Sequence, residues 1–172
     1  MLAPSPQGPR SMHRKEIHMK ARALALTLAL SSLATVAAIA QAPHMGTWKM
    51  DEARSKVPAN SVKNPTVTYE MAGDDIKCTT EGVDANGNPQ HTEWTGKFDG
   101  KDYPVTGETG SDTRAYTMVN DHKLSFLSKK GGTTSVTGTI TVSADGKTRT
   151  LKTTAPDAAG KKVSSTAIYT KQ

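Results

Sequence analysis

Arg114 and Tyr116 stand two residues apart in the run Thr113-Arg114-Ala115-Tyr116-Thr117-Met118. On a β-strand that spacing puts both side chains on one face. A guanidinium beside a phenol hydroxyl suits the anionic headgroup of a small ligand, held by charge-assisted hydrogen bonds. The same residue has a structural use: an arginine at a strand end satisfies its charge by reaching water, or by pairing with Asp112 or another carboxylate. Both uses are open from the residues alone. His91 and Glu93 also share a face, yet two ligands fall short of a metal site. Cys78, the single cysteine, alternates with Ile76 and Thr80 and reads as a small buried hydrophobe. Asp84-Ala85-Asn86-Gly87 lacks the Asp-x-Asp spacing and terminal Glu of a calcium loop, and reads as a turn. The chain carries no Ser-His-Asp arrangement, phosphate-cradling glycine loop or Cys-x-x-Cys motif. The expectation is a protein with no catalytic residues, no cofactor and no metal.

The elements that would position these residues are short strands joined by tight turns. Asp99-Gly100 is a two-residue hairpin signal, and pairing outward sets Phe98 against Lys101, Gly96 against Tyr103 and Trp94 against Val105. Gly73-Asp74, as a type II′ turn, sets Met71 against Ile76, Tyr69 against Cys78 and Val67 against Thr80. A three-residue loop at Ala85–Gly87 pairs Cys78 with Trp94. Asn120-Asp121-His122 as a loop aligns Met118 with Leu124 and Tyr116 with Phe126. Lys130-Gly131-Gly132 leads into Val136, Ile140 and Val142 on the inner face. Asp145-Gly146 places Ile140 opposite Leu151, and Ala158-Ala159-Gly160 places Leu151 opposite Ala167 and Arg149 opposite Tyr169. At each turn the apolar faces coincide. No segment after residue 40 shows a sustained 3.6-residue period. The fold class is all-β: an up-and-down antiparallel meander of about 8–10 strands, which closes most economically into a barrel because closure removes the edges. A two-sheet sandwich is the alternative. The stretch 51–64, with Pro58, has room for one helical turn but not two helices.

Lys20 and Arg22 precede an apolar run, Ala23 to Ala40, that ends in Ala38-Ile39-Ala40. That is the pattern of a signal-peptide helix cleaved after Ala40, with translation starting at Met1 or Met19. The domain plan is therefore an N-terminal extension and signal peptide at 1–40 and a β-barrel domain at 41–172. A periplasmic or secreted location follows, with no stable membrane anchor after cleavage. The net charge of +6 belongs mostly to the leader, since 17 basic residues face 15 acidic ones after residue 40. Charges of both signs are interspersed there, so no nucleic-acid footprint is expected. One cysteine excludes an internal disulfide, and a monomer held by packing alone is expected.

Gly46-Thr47-Trp48-Lys49, Ser55-Lys56, Glu81-Gly82-Val83-Asp84 and the run Phe98 to Gly107 give the chain a resemblance to uncharacterised, exported lipocalin-like proteins of bacteria, calycin-type β-barrels. The likeness covers nearly all of 46–172. It implies a barrel whose Trp48 closes one end under a basic residue, Lys171 or Arg149, and whose interior holds an apolar ligand. It carries over no site. Fatty-acid binders hold a carboxylate with Arg-x-Tyr on the last strand, where this chain has Tyr169-Thr170-Lys171. Its own Arg114-Ala115-Tyr116 lies on a middle strand.

The inward aromatics, Tyr69, Trp94, Phe98, Tyr103 and Phe126, would fill much of a core. Yet Thr80, Thr92, Gly96, Gly138, Thr153 and Ser165 are inward too, and lean, partly polar interiors are what a ligand cavity requires. The expected function is non-catalytic binding of a small apolar or amphipathic ligand, with Arg114, Tyr116, Tyr69, Trp94 and Phe126 as the candidate ligand-binding residues. The alternative is a structural or protein-interaction barrel of the cell envelope with a filled core.

Overall fold

The computed structural model describes residues 42–59, 61–157 and 159–172. The predicted leader at 1–40, with its expected cleavage site, and Ala158 of the last predicted loop lie outside the described residues. Ten antiparallel strands follow one another in chain order. They are β1 (Gly46–Met50), β2 (Lys63–Ala72), β3 (Asp75–Val83), β4 (Pro89–Gly96) and β5 (Tyr103–Thr106). Then come β6 (Thr113–Asn120), β7 (Lys123–Lys130), β8 (Thr133–Val142), β9 (Thr148–Pro156) and β10 (Lys162–Lys171). Each pairs with its neighbours in sequence, and β1 also pairs with β10 through Trp48 and Lys171, which closes the barrel. Closure leaves no sandwich and no free sheet edge. The stretch after β1 makes a single 3-10 turn at Glu52–Arg54, capped by the Asp51 carboxylate on the Arg54 amide.

The registers follow the apolar alternation. Val67 faces Thr80 and Tyr69 faces Cys78; Cys78 in turn faces Trp94. Tyr116 faces Phe126, Ile140 faces Leu151, and Arg149 faces Tyr169. Each pair shares the interior because a one-residue slip would turn the whole apolar set to water.

Three turns depart from their predicted form. Trp94 does face Val105, but the chain between them leaves the ladder. The Phe98 carbonyl accepts from the Met118 amide, and the Gly100 amide donates to the Tyr116 carbonyl, so this segment bonds β6 rather than forming a two-residue hairpin with β5. β5 is too short to reach that far, and the unpaired backbone of β6 takes its place. Tyr103 lies over Gly96, where any Cβ would overlap its ring. At the β6–β7 connection Asn120 pairs with Lys123, leaving a two-residue turn, and Val119 is the extra residue of a bulge that keeps Tyr116 opposite Phe126. At the β8–β9 connection Ser143 and Thr148 exchange bonds around Ala144–Lys147, so the loop is longer than Asp145-Gly146 alone while the register stands.

Met71 alternates with Val67 and Tyr69 but is 52% exposed. β1 begins at Gly46, opposite Tyr69, so no strand flanks Met71 on that side.

One end of the barrel is plugged. Trp48 is fully buried, its indole N–H donates to the His44 carbonyl at 2.9 Å, and the Lys171 ammonium sits 5.2 Å from its ring. The basic residue over the tryptophan is therefore Lys171, and Arg149 serves elsewhere.

His44, 1% exposed, meets Phe98 edge-on at 6.0 Å. Burial first, then the charge of Arg149, lowers its pKa from 6.5 to about 4. As pH falls the unfolded chain takes up this proton before the folded one, so the neutral ring's contribution is complete above 6.5 and is lost as pH falls through about 4. Urea unfolding is expected to show a loss of roughly 3 kcal/mol over that window, absent in a His44→Phe variant. Turn carboxylates such as Asp84, held low by Asn88, act only at more acid pH. The exposed His91, raised by its bond to Glu81, acts in the opposite sense, its share vanishing as pH rises. An unchanged unfolding midpoint across the window would mean that water reaches the His44 ring.

Candidate functional site

Above the plug the barrel is hollow. A cavity of about 710 Å³ opens among the loops at the other end, and its walls carry Tyr69, Cys78, Arg114, Tyr116, Phe126, Arg149, Leu151 and Tyr169. The space exists because small inward residues stand where a filled core needs large ones. Thr80, Ser128, Thr153, Ser165 and Ala167 all line it.

Four of the five candidate residues meet here: Arg114, Tyr116, Tyr69 and Phe126. Trp94 stands apart from the cavity wall. It is 1% exposed, stacks on Phe98 at 6.3 Å and meets Tyr116 edge-on at 4.8 Å, and its N–H donates to the Arg114 carbonyl at 2.9 Å. Its role is to brace β6 and the Tyr116 ring from behind.

Arg114 enters near the open end, as the second residue of β6 after the 107–112 connection. Its Nε donates to Ser128 Oγ at 2.8 Å, and Nη2 donates to both Glu108 oxygens at 2.9 and 3.0 Å. The side chains of Arg114 and Glu108 are each only 13% exposed. The carboxylate that the structural reading required is present, and it is Glu108 rather than Asp112. Asp112 instead bonds Lys130 and the Gly131 amide. Glu108 is held in place by Gly107, whose φ of +80° suits glycine and where a Cβ would overlap the His91 carbonyl.

Arg149 lies at the opposite, plugged end and is 2% exposed. Its Nη2 donates to the Tyr69 hydroxyl at 3.2 Å, and Tyr69 in turn lies 3.4 Å from the Tyr116 hydroxyl. The guanidinium carbon sits 4.9 Å from the Tyr169 ring centre and 5.4 Å from that of Tyr69. Nε and Nη1 have no hydrogen-bond partner, and no carboxylate pairs with this residue among the described residues. A guanidinium stays charged in a protein. Arg149 is therefore a buried cation against two aromatic rings, with its Nε and Nη1 donors unfilled. Burial holds the Tyr69 hydroxyl well above its usual pKa, so the phenol it bonds is neutral.

Burial pushes the Cys78 thiol up, which keeps it a weak nucleophile. His91 bonds Glu81 at 2.5 Å on the outer face, Lys77 takes Glu93, and no cluster of three or more metal-ligating side chains occurs among the described residues.

Sequence reasoning placed Arg149 inward, opposite Tyr169, and left open whether it or Lys171 covers the tryptophan. The signal was the count of inward bases: two arginines and, from strand alternation, no inward carboxylate to answer them.

No protein-family model and no curated protein matches the chain. Among solved structures, that of EF1p2_mFAP2b bound to DFHBI is similar over 78% of this chain and 99% of its own, at 11% identity and a TM-score of 0.43.

Proposed function

We propose that the barrel binds, without chemistry, a small amphipathic molecule bearing an anionic group, and that the leader sends it out of the cytoplasm to do so. The observation that carries the reading is Arg149. A charge at 2% exposure with unfilled donors is costly unless something answers it, and the cavity beside it is of the size ligand pockets occupy. An anionic head at Arg149 and Tyr69 leaves the apolar part of the ligand against Tyr116, Phe126, Ile140 and Leu151. A filled-core barrel, the alternative function, has no use for a cavity of about 710 Å³.

The test compares alkyl carboxylates, alcohols and ammonium ions of equal chain length by calorimetric titration. The expected order is carboxylate first, alcohol second by about 10-fold or more, and ammonium unmeasurable, because only the anion answers the buried charge. Equal affinities, or none, would sink the proposal.

A further inference from the structure

We infer that Glu108 sets the charge of the ligand, restricting the cavity to monoanions. This rests on the anion-binding reading of the same cavity and goes on to name its selectivity.

Three cations line the cavity: Lys63, half-buried at the mouth, and further in the guanidiniums of Arg114 and Arg149, whose states differ. Arg114 is answered by Glu108 through both carboxylate oxygens and by Ser128, so the pair contributes no net charge. Arg149 has no such partner among the described residues. The two other carboxylates at the cavity mouth are occupied with their own turns. Asp84 accepts from the Asn86 and Asn88 amides, and Asp157 accepts from those of Ala159 and Lys161. Inside the mouth, where water still reaches Lys63, the cavity thus offers one uncompensated positive charge. A monoanion neutralises it. A dianion leaves one negative charge in a low-dielectric space, or must drive Glu108 off Arg114 and strand that carboxylate instead. Glu108 acts here by occupying the second arginine, which makes it a specificity-determining residue rather than a ligand contact.

The position suits that role. Arg114 lies toward the mouth and Arg149 toward the plug, so an extended ligand with its head at Arg149 brings its far end past Arg114. A second acidic group at that far end meets a guanidinium already taken.

The experiment titrates the intact chain with straight-chain monocarboxylates and with α,ω-dicarboxylates of matching length, so that the series spans the separation of the two arginines. The wild-type protein is expected to prefer the monocarboxylate by about 10-fold or more. In Glu108→Gln the freed Arg114 takes the second carboxylate, and the preference is expected to vanish or reverse at some chain length. A double variant, Glu108→Met with Arg114→Met, removes the pair as a neutral unit and should keep the wild-type preference, which guards against a fold defect in the single variant. A preference unchanged in Glu108→Gln, or lost equally in the double variant, overturns the role of Glu108 while leaving the anion cavity intact. A wild-type protein that binds neither series overturns both.

Discussion

Replacing Arg149 with Met is expected to make the barrel more stable and a worse binder of anions. Arg149 is 2% exposed, carries a full charge and has no carboxylate partner among the described residues. Met is shorter than Arg by most of the guanidinium head, but its flexible thioether fills part of the same space against Tyr69 and Tyr169. Exchanging an imperfectly answered buried charge for apolar volume often stabilises a fold by about 1–4 kcal/mol. The lost contacts with two aromatic rings offset part of that, at about 1 kcal/mol. A net gain of roughly 1–2 kcal/mol is expected, seen as a higher urea midpoint at unchanged slope. Affinity for a carboxylate probe should fall on the order of 10–100-fold, the worth of charge-assisted hydrogen bonds in a site closed to water. A destabilised variant that still bound the anion would make Arg149 a structural residue and move the headgroup elsewhere.

Trp48→Ala is expected to be the most damaging single change to the fold. Trp48 is, with Trp94, the largest fully buried side chain among the described residues, and it caps the plugged end from a strand only five residues long. Truncating a buried tryptophan costs about 3–5 kcal/mol through lost transfer energy and the cavity left behind. It also frees the His44 carbonyl that the indole N–H now satisfies and removes the ring beneath Lys171. Domains of this size hold about 5–15 kcal/mol in all, so the variant should lose a large share of its stability and melt at a much lower temperature. Trp48→Phe keeps most of the ring but loses the hydrogen bond, and should cost about 1–2 kcal/mol. A melting temperature for Trp48→Ala close to wild type would mean that the plug contributes little and that the ladders alone hold the barrel.

Most of the architecture was legible because a strand repeats every two residues. Val67 against Thr80, Tyr116 against Phe126 and Ile140 against Leu151 all follow from turn residues and alternation. Alternation gives the face of a side chain and says nothing of its depth along the barrel. Met71 has the inward parity of Tyr69 yet is exposed, since it lies beyond the start of β1. Arg149 has inward parity and lies deep, against Tyr69 and Tyr169, a depth that parity alone leaves open. Depth depends on how far each strand is staggered against the next, and that is fixed only when β1 meets β10. The Glu108 partner was missed for a related reason: it sits on a connection, where no period applies. The bulge at Val119 was invisible because a bulge and a longer loop preserve the same pairing of Tyr116 with Phe126.

The closure through β1 also fixes an order of events. Nine of the ten ladders join strands adjacent in the chain, and each can form as a local hairpin. The tenth must bring Trp48 to Lys171, across nearly the whole domain, and loop closure of that length is entropically the costliest and slowest step. Until it happens, the chain is an open sheet whose outer edges, β2 or β1 on one side and β10 on the other, are unpaired templates for another copy of the same sheet. The charged residues at those edges, Lys49, Lys63, Lys162 and Lys171, then act as repulsion between copies during folding. In the finished barrel the same lysines stand among paired strands, and Lys171 then serves a second time as the cation over Trp48.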